Sequence, residues 1–309
     1  MLLKLLYLNI IFLCGSIYSL SNNYLYMLSH VCKENGSRKP DHPFLTGDTF
    51  RFFADHVYDE TSVKFVPEKV QRGDIVFVNT YLLFNFFTDE HPRINYSYIL
   101  ITHNSDFYSP GEFINYLEDP KIFAWFGCNP DRLHPKFKAL PLGLGNKWFR
   151  PYHTEDFSKI VARSEKTNLC YSNFSIGTNY NIRKIASNYF AKQTFIVDSG
   201  HCTPMEYLIR TANSNYTISP PGRGLDCHRI WESIYLNTIP IVLSSPANEL
   251  YQDLPILIID NWEQVTEDFL EKNYEIMQSK KNTYNYEKSK FPYWWDQIKQ
   301  VQNDCRRAQ

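Results

Sequence analysis

Arg229 and Glu232 stand three residues apart, just behind a run of proline and glycine, PPGRG at 220–224. Those types suit one kind of ligand. A guanidinium offers phosphate a planar fork of donors, and a carboxylate one helical turn on accepts from ribose hydroxyls. Gly222 and Gly224 permit a close backbone approach that side chains forbid, and Asp226 has the character of an N-cap for a helix beginning there. At helical spacing Cys227, Ile230, Trp231 and Ile234 fall on one side, with Arg229, Glu232 and Ser233 on the other. One face therefore packs on a sheet and the other carries charge. The unpaired N–H groups and positive dipole end of such a helix seat an anion, here the diphosphate of a nucleotide. Ser219, Pro221, Gly222, Gly224, Asp226, His228, Arg229 and Glu232 are accordingly read as nucleotide-binding residues. The plainer alternative is a solvated Arg229–Glu232 pair behind a glycine loop that holds no ligand.

Three other positions carry candidate chemistry. Arg183 follows a strand and the turn TNYN, at the start of a helix, from which it reaches toward a diphosphate. His103 and Asp106 follow the apolar run 97–102, and either is a candidate general base for a hydroxyl proton. Asn104-Ser105-Asp106 is also ordinary turn chemistry. No cysteine pair has CxxC spacing and no Asp-x-Asp stands at a strand end, so no metal site is expected.

The order Pro221, Gly222, six residues, Arg229, two residues, Glu232, seven residues, Pro240 resembles the donor-binding signature of the exostosin family of glycosyltransferases. The family usually has glycine where this chain has Asn237, a residue that tolerates the left-handed conformation of a helix C-cap. The segments at 99–107, 121–129, 141–149 and 172–184 also look like parts of exostosin-like transferases. The resemblance implies a GT-B architecture, an α/β fold of two Rossmann-like domains facing across a cleft. It implies transfer of a sugar from a nucleotide-sugar donor, UDP preferred, to a glycan or glycoconjugate hydroxyl. The nucleotide sugar is then a substrate, and neither cofactor nor metal is expected. Two rivals remain open: a noncatalytic GT-B protein that binds nucleotide or serves as a scaffold, and another nucleotide-sugar enzyme such as an epimerase.

The elements that must position these residues are legible as pattern. Apolar runs at 74–79, 97–102, 121–127 and 137–143 are short and flanked by turn residues, as expected of parallel strands buried on both faces. Further strands are expected at 168–174, 194–197, 216–219, 239–243 and 256–260, alternating with helices at 181–192, 204–213 and behind the glycine loop. The segment 21–68 reads as irregular, and the connections between the early strands as places for helices. The organisation expected is a leader at 1–20, an acceptor-side domain at 21–155, a nucleotide-sugar-binding domain at 156–290, and a C-terminal helix at 291–309 crossing back. With 309 residues, two cores are the better expectation than one. A formal net charge of -1 argues against nucleic acid as partner. Lys4 before the apolar stretch 5–20 reads as a signal peptide or signal anchor, which places the remainder in the secretory lumen or outside the cell, with possible membrane attachment. An oxidising lumen allows part of the cysteine set to pair. Four sequons, at Asn35, Asn95, Asn173 and Asn215, are acceptors only on a eukaryotic-type secretory route.

Overall fold

The computed structural model describes residues 38–61 and 63–308. Residues 38–59 and 63–308 form one unit; of a second, 1–37 with 60–62, only Glu60 and Thr61 are described. The leader, Cys14, Cys32 and the Asn35 sequon lie outside the described residues.

The chain of the larger unit enters through helix α1 (Gly47–Phe53), capped by Thr46, whose hydroxyl accepts from Thr49 N at 3.1 Å. Five parallel strands follow in sequential order: β1 (His56–Tyr58), β2 (Ile75–Asn79), β3 (Tyr98–His103), β4 (Ile122–Gly127) and β5 (Phe137–Ala139). Every residue of β2 and β3 is buried, as the unbroken apolar runs required. Strand alternation divides the load. Ile75, Phe77, Ile99, Ile101, Ala124 and Phe126 turn to the face covered by α1 and the C-terminal helix. Val76, Val78, Tyr98, Leu100 and Trp125 turn to the other, against Leu83, Phe86, Phe87 and Ile94.

Two expectations are corrected here. The segment 21–68 is not irregular in its described part: α1 and β1 lie in it, and β1 has three half-buried residues, too few to show an alternating pattern. The connections after β2 and β3 hold short helical turns, among them the 3₁₀ stretch Gly111–Glu118, instead of regular α-helices. Pro92 has no N–H with which to continue the helical ladder begun at Leu83.

After helix α2 (Glu155–Val161) a second parallel sheet forms from β6 (Asn168–Ser172), β7 (Ile196–Asp198), β8 (Ser214–Ile218), β9 (Ile239–Leu243) and β10 (Leu257–Ile259), in the order β10-β9-β8-β6-β7. Its longer helices are α3 (Tyr180–Phe190), α4 (Pro204–Ala212), α5 (His228–Tyr235) and α6 (Glu267–Ser279), with a single turn at Asn248–Tyr251 between β9 and β10. The winding reverses between β6 and β8. Accordingly α3 and α6 cover one face through Ala186, Phe190 and Leu270, and α4 and α5 the other through Leu208, Ala212, Ile230 and Trp231.

Helix α7 (Phe291–Arg307) packs on the first sheet: Gln302 Nε2 donates to Gly73 O at 2.8 Å, and Phe291, Trp294, Ile298 and Cys305 join the cluster with Ile75 and Phe77. That cluster continues through Leu45 and Leu140 into Trp231, Ile234 and Val242. The two sheets therefore share this cluster, while each keeps a buried cluster of its own on its other face. The described cysteines, Cys128, Cys170, Cys202, Cys227 and Cys305, are all free thiols. No described helix is long and apolar enough to cross a membrane.

Candidate functional site

In an open parallel sheet, ligands sit outside the carboxyl ends of the strands, where the winding reverses. Here that crevice opens between β6, which leads to Phe174, and β8, which leads to Ser219 and the glycine loop. The sequence motif and the sheet topology converge on the same place.

Arg183, on α3, does not reach out into the crevice. It is buried, with Nε donating to Pro221 O at 3.0 Å, Nη1 to Ser175 O at 2.8 Å and Nη2 to Pro220 O at 3.3 Å. It is the anchor of the loop. A Cβ on Gly222 would stand 3.2 Å from Arg183 Nη2, so glycine lets the loop lie flat on the guanidinium, while Asn179 Nδ2 holds Gly222 O at 2.7 Å. Burial and then the neighbouring Arg229 bring the Arg183 pKa down to about 10.

Arg229 lies in the first turn of α5, and its Nε is buried with no hydrogen-bond partner. Its guanidinium carbon is 6.0 Å from the centre of the Phe174 ring, and that of Arg183 is 5.8 Å from the same ring. No ion pair among the described residues involves either arginine. Burial works to lower the Arg229 pKa, but Tyr207, Cys227 and Glu232 outweigh it and leave the value raised. The group keeps its charge. Ser219, 1% exposed, adds a buried hydroxyl that also lacks a partner. The N-cap of α5 is Cys227, which makes no side-chain capping bond, so the N–H groups of His228 and Arg229 lack a capping partner, while Ile230 N donates to Cys227 O at 3.1 Å. Two neighbouring cations without a direct ion pair, a helix head and an orphan hydroxyl together describe a seat for an anion.

Asp226 is not the cap expected. Oδ1 accepts from Cys227 N at 2.9 Å and Tyr251 Oη at 3.1 Å; Oδ2 accepts from Leu142 N at 2.7 Å and Trp231 Nε1 at 2.8 Å. Every acceptor position is used, and the residue bolts the α5 head to the loop behind β5.

Glu232 departs from expectation as well. The polar face of α5 is not solvated: Glu232 is 9% exposed, and Ser233 is fully buried. Its carboxylate accepts from the hydroxyls of Tyr152 and of Tyr207, the latter at 2.9 Å. Burial and then the charge of Glu232 push both tyrosine pKa values up, so both remain donors. The side chain clamps α5 to α4 and to the segment behind β5, where a ribose contact was expected.

The loops of the two sheets meet at this point. A Cβ on Gly224 would stand 2.2 Å from Asn129 Oδ1, so the glycine is required by Asn129, which follows β4 with φ 53°. Arg223 Nη1 lies 3.6 Å from Asp106 Oδ2, and Tyr81 Oη donates to the same oxygen at 3.4 Å. Asp106 is thus exposed at the site but ion-paired. His103 is 1% exposed: Asn104 N donates to Nδ1 at 2.7 Å, so Nε2 carries the proton and donates to Pro141 O at 3.1 Å. Burial brings its pKa down to about 4. Neither ring nitrogen is left for a substrate, and His103 is a structural residue, not a base. His228, expected among the nucleotide contacts, instead donates from Nδ1 to Gly143 O at 2.7 Å, on the loop behind β5.

Phe174, Asn129, Tyr152, Tyr207 and Asp48 were not singled out from sequence. Asp48 is 1% exposed, with Oδ1 held by Arg38 and Asn104 and Oδ2 without a partner; burial raises its pKa. Phe174 was read as the last residue of the strand 168–174; the strand ends at Ser172, which leaves Phe174 in the turn behind it.

No family model matches the chain, and no curated protein matches it. Among solved structures, 13 chains match. One is described as the GtfA/B complex: 14% identity, TM-score 0.41, covering 76% of this chain and 59% of that one. Another is the pneumococcal O-GlcNAc transferase GtfA in complex with UDP and GlcNAc: 14% identity, TM-score 0.34, covering 75% of this chain and 57% of that one. The chain thus spans less than two thirds of the length of either, and at these TM-scores the likeness carries no argument about activity.

Proposed function

We propose that the protein is a glycosyltransferase of GT-B type, moving a sugar from a UDP-sugar to a hydroxyl of a glycan or glycoconjugate. One observation carries this reading. Arg229, with an unpartnered buried Nε, stands beside Arg183 at the head of α5, on the crevice where the winding of the second sheet reverses, and neither arginine is in an ion pair among the described residues, Glu232 acting on Arg229 only from a distance. A diphosphate supplies the missing charge, and its oxygens accept from Arg229, Ser219 and the first N–H groups of α5. As the sugar–phosphate bond breaks, negative charge grows on that diphosphate, and donors already in place stabilise it without rearrangement. Because arginine and the helix head meet this need, metal is not required of the mechanism. Residues 21–155 serve as the acceptor side and 156–290 as the donor side, with 291–309 crossing back. The site of action proposed is the secretory lumen or the exterior, and finding the intact chain with Met1 in cytosol would count against it.

A noncatalytic nucleotide-binding protein is the second reading, favoured by the engagement of His103, Asp106 and Glu232 with other side chains and backbone. A thermal-shift series with UDP, GDP, CMP and their sugars separates the cases, followed by product analysis with and without EDTA. Specific stabilisation by UDP and its sugars, with EDTA-resistant transfer, is expected. Stabilisation without turnover supports the second reading, and no response to any nucleotide removes both.

A further inference from the structure

A direct displacement at the anomeric carbon needs a base for the acceptor hydroxyl, and the two expected candidates, His103 and Asp106, are engaged, as are the neighbouring carboxylates. His103 has no free nitrogen, Asp106 is held by Arg223 and Tyr81, and Asp226 is saturated by Leu142, Trp231 and Tyr251. Asp48 is sealed under Arg38 and Asn104 at 1% exposure.

His228 is placed differently. A carbonyl only accepts, so the 2.7 Å bond to Gly143 O fixes the proton on Nδ1. That leaves the lone pair on Nε2, for which no described residue provides a hydrogen bond. The ring is half-buried and is the first residue of α5, adjacent in sequence to Arg229. It rests on a loop of the first sheet that also presents Trp148 and Phe149, 38% and 48% exposed, with the Phe149 ring centre 6.1 Å away. The Arg38 guanidinium stands 5.3 Å over one face of Trp148, and the remaining exposed aromatic surface beside a polar group suits the apolar face of a saccharide.

We propose that His228 is the base of the transfer and that the acceptor is a saccharide lying against Trp148 and Phe149, an assignment that rests on the transferase reading above. The acceptor hydroxyl gives its proton to Nε2 while its oxygen forms the bond to the anomeric carbon. The bond from that carbon to the diphosphate breaks, and its electron pair leaves with the UDP held at Arg229. The imidazolium then returns the proton to water. The backbone tether of Nδ1 keeps the ring aimed throughout.

His228→Asn is the sharpest variant, because the Asn amide reproduces the donor to Gly143 and removes the base. UDP affinity by calorimetry is expected within about twofold of the parent, while turnover of a UDP-sugar onto mixed oligosaccharides falls roughly 100-fold or more. If that variant does not fold, His228→Ala with added imidazole decides, a return of turnover being the expected result. Parent-like turnover in His228→Asn, a loss of UDP affinity as large as the loss of rate, or no rescue by imidazole each overturn the assignment. A parent protein that binds no UDP or transfers no sugar overturns the transferase reading itself, which is read from the parent alone.

Discussion

Arg229 and Arg183 repel each other in a buried setting, so a change that removes one of them separates binding from stability. Charged hydrogen bonds contribute about 1.5 to 3 kcal/mol, or roughly 10 to 150-fold in affinity. Arg229→Ala is expected to weaken UDP by that amount with a smaller change in stability, since Arg183 loses a like-charged neighbour while Glu232 loses a nearby cation. A drop in stability with UDP affinity intact would return Arg229 to a structural role. Glu232 behaves in the opposite sense. Its removal strands the hydroxyls of Tyr152 and Tyr207, so Glu232→Ala is expected to cost about 1 to 3 kcal/mol in denaturant unfolding, with Glu232→Gln milder. His103 adds a pH signature. Its folded pKa of about 4 lies below the ordinary 6.5, so the unfolded chain binds the extra proton and stability is lost as pH falls through that window. The full difference amounts to about 3 kcal/mol. His103→Gln should flatten the decline of melting temperature between those values, and an unchanged slope would mean the ring is protonated in the fold.

Among the elements, helix α5 shows what the sequence carried and where it fell silent. Its apolar stripe, Ile230, Trp231 and Ile234, is buried as the spacing required, and the strand behind it, Ile239–Leu243, matches the reading residue for residue. Its end was legible too. Asn237 has φ 54°, Asn237 N donates to Ile234 O at 3.1 Å and Thr238 N to Ser233 O at 2.9 Å, a Schellman closure. Asn237→Gly is therefore expected to hold or raise stability, whereas Asn237→Ala, forced into the left-handed region, is expected to cost about 1 to 2 kcal/mol. Equal melting temperatures for the two would show that the closure has moved. The polar side of the same helix was misread for a physical reason. Spacing says which residues share a face, but not what arrives from elsewhere in the chain: Tyr152 stands 80 positions before Glu232, and Leu142 stands 84 before Asp226. The same limit hid α1 and β1, since a capped seven-residue helix and a three-residue edge strand carry too little pattern to stand apart from loop.

At the scale of the whole molecule, each sheet has a buried cluster of its own on one face, and a third cluster runs from Ile75 and Phe77 of the first sheet to Trp231 and Val242 of the second. Trp231 is the residue at that join. It is fully buried, and its indole N–H donates to Asp226, whose other contacts include Leu142 N on the far side. Trp231→Ala should cost about 3 to 5 kcal/mol from the lost side chain and the cavity it leaves. With separate cores, that loss would fall on the second sheet alone and unfolding would split into two transitions. A shared core spreads the loss. Amide exchange in β2 and β3 should accelerate by the same factor as in β8 and β9, with one coincident transition by circular dichroism and tryptophan fluorescence. Exchange that quickens only in β8 and β9 would mean that the halves are energetically independent despite their contact, as a hinge between two domains demands.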